Sequence, residues 1–300
     1  LSVRARQGTY SIVARDGATG ELGVAVQSHW FSVGPIVPWA RAGVGAIATQ
    51  ANAEPAYGPR LLELLEHGAT PQAALATLLA DDRAAATRQV AVVDASGAVA
   101  AHTGSSCIAH AGHVTAAGVS CQANIMASAA VWPAMLAAYA QATGRLADRL
   151  LAALDAAEAA GGDLRGRQSA ALLVVAPGAE PWRAAVSLRV EDHPDPLREL
   201  RRLLALHDAY SLAGEGDELA GAGAHAQAAT RYRAAAKLAP ANHELLFWAG
   251  LGTAESGDLD AGAAQVARAI AMHAPWAELL ARLPADLAPA AATVRERLGL

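Results

Sequence analysis

Thr9 follows a glycine and opens an apolar stretch, Gly8-Thr9-Tyr10-Ser11-Ile12-Val13-Ala14-Arg15-Asp16. A second such stretch follows at once, Gly20-Glu21-Leu22-Gly23-Val24-Ala25-Val26-Gln27-Ser28. A hydroxyl residue that opens the first strand of a hairpin is the layout of enzymes whose nucleophile is the first residue of the mature chain. The free α-amine then takes the proton from the side-chain oxygen, and no distant histidine is needed. Eight residues precede Thr9, so this chemistry requires their removal. The competing reading is an ordinary strand threonine in an inactive chain.

If the hairpin pairs in register, Ser28 and His29 end the second strand beside Thr9. His29 could orient or protonate a reacting group; otherwise it is a hairpin-end histidine facing solvent. Gln50, Ala51 and Asn52 lie where a strand gives way to a helix, and Asn124 ends another strand. Amide N–H groups at such places, from Gln50 and Asn124 above all, could bind a developing oxyanion or simply cap chain ends. His102, Cys107, His110 and His113 include a C-x2-H-x2-H spacing that can hold zinc. The flanking Thr103-Gly104 and Gly112 favour instead a tight loop at the pocket rim, with Cys107 buried and His113 hydrogen-bonded. No metal and no cofactor are therefore expected.

These residues need a scaffold, and the sequence outlines one. Strands are expected over 9–15, 22–28, 44–50, 89–94, 98–103, 119–124, 170–176 and 182–190, with Gly- and Asp-bearing turns at 16–20 and 94–97. Tyr57-Gly58-Pro59 opens a helix closed by Gly68, and Thr70-Pro71 is a cap-plus-proline start for the next. Helices are also expected over 131–141 and 145–160. Hairpins and paired helices in blocks argue for a layered α+β fold, not alternating βαβ units. His193-Pro194-Asp195-Pro196 marks a change in composition. Beyond a linking helix at 197–213 the chain is wholly helical, and positions recur at an offset of 34: Ala209 with His243, Gly216 with Gly250, Gly223 with Gly257, Tyr232 with Val266, Ala235 with Ala269. This matches the tetratricopeptide repeat, a helix–turn–helix unit. Two such units are fewer than usually stand alone, so Leu245, Leu246, Phe247, Trp248 and Trp276 are expected to pack on the preceding domain or on a partner chain.

Composition limits the function classes. The 300 residues are 53% hydrophobic and 17% charged, with a net charge of -5 and one lysine, Lys237. There is no long basic run, so nucleic acid is not an expected partner. Cys107 and Cys121 do not form a disulfide framework. No apolar run reaches the roughly 18 residues of a membrane span, and Leu1–Gln7 does not read as a signal peptide. The expected location is the cytoplasm.

The segments Thr9 to Asp16, Gly23 to His29, Val37-Pro38-Trp39-Ala40, Gly43 to Gln50, His102-Thr103-Gly104 to Cys107, Gly112-His113, Gln122-Ala123-Asn124 and Gly161-Gly162-Asp163 to Ala170 resemble a bacterial and archaeal family catalogued as domain of unknown function 1028. The resemblance covers about residues 9–190. It implies placement among the N-terminal nucleophile (Ntn) hydrolases, with a four-layer αββα sandwich and hydrolysis of an amide or related C–N bond. Members commonly begin with Met followed by this same Thr. The extension here is then either a start-site artefact or a short propeptide. Proteasome-like relatives place an Asp-Ser-Arg segment where this chain has Gln27-Ser28-His29, so that carboxylate is absent. The only lysine lies far from the site, which leaves the α-amine as base. The same similarity suggests that Asp163 and Ser169 support the nucleophile's amine, with Asp163 capping a loop as the alternative.

The expectation is an Ntn-type domain over 9–192 followed by a helical linker and two tetratricopeptide-like repeats over 193–300. The substrate class is a small-molecule or peptide amide, attacked by Thr9. A homo-oligomer is expected, with the helical tail available to a protein partner. Two rivals stand beside this reading: a non-catalytic interaction scaffold, and a metal-dependent hydrolase built on the 102–113 loop.

Overall fold

In the computed structural model, which describes residues 8–180 and 182–300, β1 (Thr9–Arg15) and β2 (Leu22–Ser28) form an antiparallel hairpin, buried throughout except at Arg15. Asp16 shapes the turn by accepting hydrogen bonds from the backbone of Ala18 and Thr19, and Gly20 supplies the left-handed residue at φ 77°. The chain continues through β3 (Pro38–Arg41), β4 (Gly45–Ala51), α1 (Tyr57–Glu66), α2 (Pro71–Asp81), β5 (Arg88–Asp94), β6 (Val99–Thr103), β7 (Gly112–Ala116) and β8 (Val119–Asn124). It then forms α3 (Val131–Gln141), α4 (Leu146–Ala159), β9 (Ser169–Val175) and β10 (Val186–Val190).

The strands make two antiparallel sheets, one of six strands in the order β10-β9-β2-β1-β8-β7 and one of four in the order β3-β4-β5-β6. Alternation along the strands decides what each face meets. Val13, Leu22, Val24 and Val26 of the larger sheet pack with Ala46, Ala48, Ala91 and Val93 of the smaller. The opposite face of the smaller sheet carries Ile47, Val90 and Val92, which meet Leu61, Leu62, Leu75 and Leu78 of α1 and α2. Each such side chain stabilises the fold by about 1.5–3 kcal/mol relative to exposure. Helix α4 packs on the outer face of the larger sheet at Gly23, where a Cβ would lie only 2.7 Å from Leu150 Cδ1. The fold is thus mixed α+β with antiparallel sheets, followed by a helical region.

Two strands appear that the sequence did not announce. β3 is a four-residue strand opened by a proline, and β7 is a half-exposed edge strand where a loop was expected around Gly112. The last strand begins at Val186, not at Trp182.

The chain divides into two compact units, the second running from Arg202 to Leu300. The division falls inside α5 (Pro196–Gly221), one continuous helix where a linker and a separate repeat helix were expected. Four helices follow as α6 (His225–Leu238), α7 (His243–Glu255), α8 (Leu259–Met272) and α9 (Trp276–Arg282), and α10 (Ala291–Leu298) closes the unit. Two close approaches recur at the 34-residue offset. A Cβ on Gly216 would meet Tyr232 at 2.6 Å, and one on Gly250 would meet Val266 at 2.8 Å. The turns carry left-handed Gly223 and Gly257 at the same offset.

The residues expected to pack on the preceding domain or on a partner chain contribute to cores within this unit. Leu246, Phe247, Trp248 and Trp276 pack with Val266, Leu280, Ala291 and Val294, and Leu245 packs with Ala209 and Ala235. α9 and α10 supply the surface that two hairpins alone lack. Lys237 lies exposed in the last turn of α6. Among the described residues, no helix is long and apolar enough to cross a membrane.

Candidate functional site

Strand register brings one polar residue from each of four neighbouring strands to the same level. Thr9 pairs with Ser28 of β2 and with Asn124 of β8, and Ser28 pairs with Ser169 of β9. Directly paired residues share a face; here it is the face turned toward the smaller sheet, since Ser11, Val13 and Val26 continue it inward. All four residues are buried. The expected adjacency of Thr9 and Ser28 is present, and Thr9 Oγ1 donates to Ser28 Oγ at 3.0 Å.

Ser28 Oγ in turn donates to the carbonyl oxygen of Gly8, and Arg165 Nη2 donates to the same oxygen at 2.7 Å. Arg165 is held by Asp163, through Nε to Oδ1 at 3.1 Å and Nη2 to Oδ2 at 2.8 Å. The Asp163 carboxylate is fully buried. It also accepts from the backbone N–H groups of Arg165 and His29, at 2.9 and 3.2 Å. Four N–H donors with one cation offset the cost of burying that charge. The space is tight: a Cβ on Gly8 would lie 2.8 Å from both Arg165 Nη2 and Asp163 Oδ2, and 2.9 Å from Ile125 Cβ.

Behind Thr9 lies an uncharged network. Gln50 Nε2 and Asn124 Nδ2 donate to the Thr9 carbonyl oxygen at 3.3 and 3.4 Å, and both donate to Gln89 Oε1 at 2.8 and 2.9 Å. Gln89 Nε2 donates to Thr103 Oγ1, Gly112 O and Ala123 O. Ser11 Oγ donates to Gln50 Oε1, and Gln122 Nε2 donates to Ser11 Oγ, both at 2.6 Å. Leaving one such buried group unpaired costs about 1–3 kcal/mol, so the mutual satisfaction fixes the amides in place. Gln50 and Asn124 are each followed by a left-handed residue, Ala51 at φ 66° and Ile125 at φ 59°. For a β-branched residue this is a strained backbone. It turns the chain out of the sheet, so that Ile125 accepts from Leu164 N and donates to Ile108 O. Ile108 and Leu164 are exposed around these strand ends.

The sequence-derived candidates thus take different places. Thr9, Ser28 and Asp163 converge on the Gly8–Thr9 junction. Gln50 and Asn124 have their amide nitrogens engaged with the Thr9 carbonyl and Gln89. The backbone of His29 is tied to Asp163, while its buried Nδ1 has no hydrogen-bond partner. Ser169 shares the register row but works one strand away, donating to Trp30 O and accepting from Val33 N at 3.1 Å, so it holds the 30–33 loop.

Sequence reading missed Arg165, Gln89, Gln122 and Ser11 as members of this cluster. The signal for Ser11 and Gln122 was present: polar residues at alternate positions of strands whose intervening positions are apolar or aromatic. Next to Thr9, the Tyr10 hydroxyl is on the opposite face and contacts Gln27 and Glu158. Burial first, then Glu158, pushes its pKa up.

The residues weighed for zinc have other engagements. His102 Nε2 contacts Ala85 O at 2.9 Å, His113 Nδ1 contacts Thr103 Oγ1 at 2.8 Å, and His110 is exposed. Cys107, half-buried instead of buried as expected, donates to Arg88 O at 3.4 Å. Burial, then His102, lowers the pKa of His113. Among the described residues, no group of three or more His, Cys, Asp or Glu side chains is placed to hold a metal. The alternatives concerning residues 1–7 lie outside the described residues.

Comparison with known proteins adds a family. The model of the family described as "Family of unknown function (DUF1028)" matches residues 9–200. Among solved structures, the crystal structure of protein SPO2555 from Silicibacter pomeroyi, under the same family model, is similar at 35% identity and a TM-score of 0.61. The match covers 66% of this chain and 84% of that one. No curated protein matches.

Proposed function

The chain belongs to the DUF1028 family of unknown function, and for this member we propose hydrolysis of an amide or related C–N bond, with Thr9 as an N-terminal nucleophile on an Ntn-type αββα sandwich. One observation carries the reading. Thr9 Oγ1 lies in hydrogen-bond contact with Ser28 Oγ, while Ser28 Oγ and Arg165 Nη2 both donate to the carbonyl of Gly8. That carbonyl belongs to the bond whose cleavage would free the α-amine of Thr9.

The chemistry proceeds in two stages. Thr9 Oγ adds to the Gly8 carbonyl, whose developing negative charge is met by the Arg165 guanidinium and the Ser28 hydroxyl. The C–N bond breaks, the nitrogen takes a proton, and the resulting ester is hydrolysed by water. Thr9 is then the first residue. Its amine stands in the space left beside Asp163 and Ser28, and removes the Thr9 hydroxyl proton when a substrate carbonyl takes the place of the Gly8 carbonyl. Asp163 acts through Arg165 and the freed amine, as a positioning residue. The amides of Gln50 and Asn124 hold the Thr9 backbone still, which keeps the nucleophile within reach of its target.

The helical unit we read as two tetratricopeptide-like repeats. The recurring close approaches of Gly216 to Tyr232 and Gly250 to Val266 support this.

The test is intact mass with turnover. Protein expressed with residues 1–8 is expected to lose them before it becomes active against amide substrates. Thr9→Ala is expected to keep them and to show no turnover while remaining folded. Full activity in protein that retains the Gly8–Thr9 bond would overturn the α-amine mechanism.

A further inference from the structure

We propose that the helical unit 202–300 binds a small organic cation, an ammonium or guanidinium group carried on an apolar body, in a cavity of its own. This inference is independent of the chemistry at Thr9. The cavity has a volume of about 530 Å³ and is lined wholly by residues between Tyr210 and Pro289. That is within the range of about 300–1,000 Å³ typical of ligand pockets.

Its walls have two components. Tyr210, Tyr232 and Trp248 supply aromatic surface, over buried Leu245 and Leu251. Four carboxylates also line it, from Asp217, Glu244, Glu255 and Asp286, and none of the lining residues is Lys or Arg. Apart from His225 and the two tyrosines, the ionisable acid–base groups of the lining are these four carboxylates.

The internal contacts of these carboxylates leave their charge standing. Asp217 accepts from the Tyr232 hydroxyl at 2.8 Å and Glu244 accepts from the Tyr210 hydroxyl, so each is engaged by a neutral donor. Glu255 lies 3.7 Å from His225 Nδ1 and accepts a hydrogen bond from the backbone of Ala290, also a neutral donor. Burial first raises the Glu255 pKa, while the Ala290 backbone hydrogen bond and His225 act in the opposite direction. Aromatic faces together with carboxylates are the combination that recognises an organic cation, through cation–π attraction and charge-assisted hydrogen bonds. An anion is repelled by this lining, and a neutral apolar ligand leaves the carboxylates uncompensated. A bare metal ion would leave the aromatic walls without a role, and among the described residues no metal-ligating group is formed.

Calorimetric titration of the full chain at low salt tests the proposal with three matched probes: phenethylamine, its neutral counterpart 2-phenylethanol, and the anion phenylacetate. Phenethylamine is expected to bind saturably at one site per chain, at least tenfold more tightly than the alcohol, with no binding of phenylacetate. Asp286 is exposed, so Asp286→Asn should leave the fold intact and weaken phenethylamine at least threefold. Trp248→Leu should weaken it at least tenfold, and Thr9→Ala should leave it unchanged. Equal affinity for amine and alcohol, no saturable amine binding, or loss in Thr9→Ala with retention in Asp286→Asn and Trp248→Leu would each overturn the proposal. So would binding of an acetylated Gly-Arg-Gly amide with none of phenethylamine, which would assign the cavity to a protein partner.

Discussion

At the scale of single residues, Gly8 separates the two stages of the proposed chemistry. A methyl group there would sit 2.8 Å from Arg165 Nη2 and Asp163 Oδ2 and 2.9 Å from Ile125 Cβ. Something must shift, and the atom with most to lose is the Gly8 carbonyl oxygen, held by two donors. Gly8→Ala is therefore expected to slow release of residues 1–8 at least tenfold, a loss of about 1.4 kcal/mol of transition-state stabilisation. Material that has been released should turn over normally, because Gly8 is then gone. Mass spectrometry over time, with turnover measured on the released fraction, checks both halves. Unchanged release would mean that the two donors do not polarise that carbonyl. Arg165 itself shows why part of the site was illegible in the sequence. Its role depends on the 163–165 segment reaching the start of β1, which Asp163-Leu164-Arg165 does not announce by type or spacing. Thr9 and Ser28, by contrast, follow from the hairpin alone, since the apolar runs and the 16–20 turn set the register that pairs them.

At the scale of elements, one polar contact set ties α1, α2 and β5 together. Arg88 at the start of β5 donates through Nε to Asp82 Oδ2 at 2.7 Å, and the Tyr57 hydroxyl of α1 donates to the same oxygen at 3.1 Å. Asp82 is the residue that ends α2. The hydrogen bond from Arg88 is the largest cause of a lowered Asp82 pKa, offset in part by burial. A carboxylate whose pKa is lower folded than unfolded contributes stability above its usual value of 3.8. That contribution is lost as pH falls through the depressed value. Asp82→Asn is expected to cost about 1.5–3 kcal/mol at pH 7, with the gap to the parent narrowing below about pH 4. Denaturant unfolding at several pH values checks this, and a gap that persists undiminished in acid would mean the loss is one of packing. The same elements show what local patterns convey. Thr70 caps α2 by accepting from Ala73 N, as the Thr-Pro pair predicts. β3 was missed because four residues opened by a proline carry too little alternation. β7 was missed because an edge strand with one exposed face resembles a glycine-bearing loop.

For the whole molecule, the decisive fact is that the helical unit has its own core. Leu246, Phe247, Leu251 and Val266 are buried against α9 and α10. Repeat counting along the sequence registered two hairpins and not these closing helices, whose pattern does not repeat. Residues 202–300 expressed alone are therefore expected to be strongly helical by circular dichroism and to melt in one cooperative transition. A broad, non-cooperative loss of signal would show that the unit depends on the rest of the chain. Lys237 stands exposed on α6 within that unit and is the single lysine of the 300 residues. A chain spanning Thr9–Leu300 thus carries two primary amines, its α-amine and the Lys237 side chain. An amine-directed acylating reagent can then count its own sites. In protein that begins at Thr9, one adduct should silence turnover and the other should leave it untouched, so labelling stoichiometry becomes a direct assay for the base.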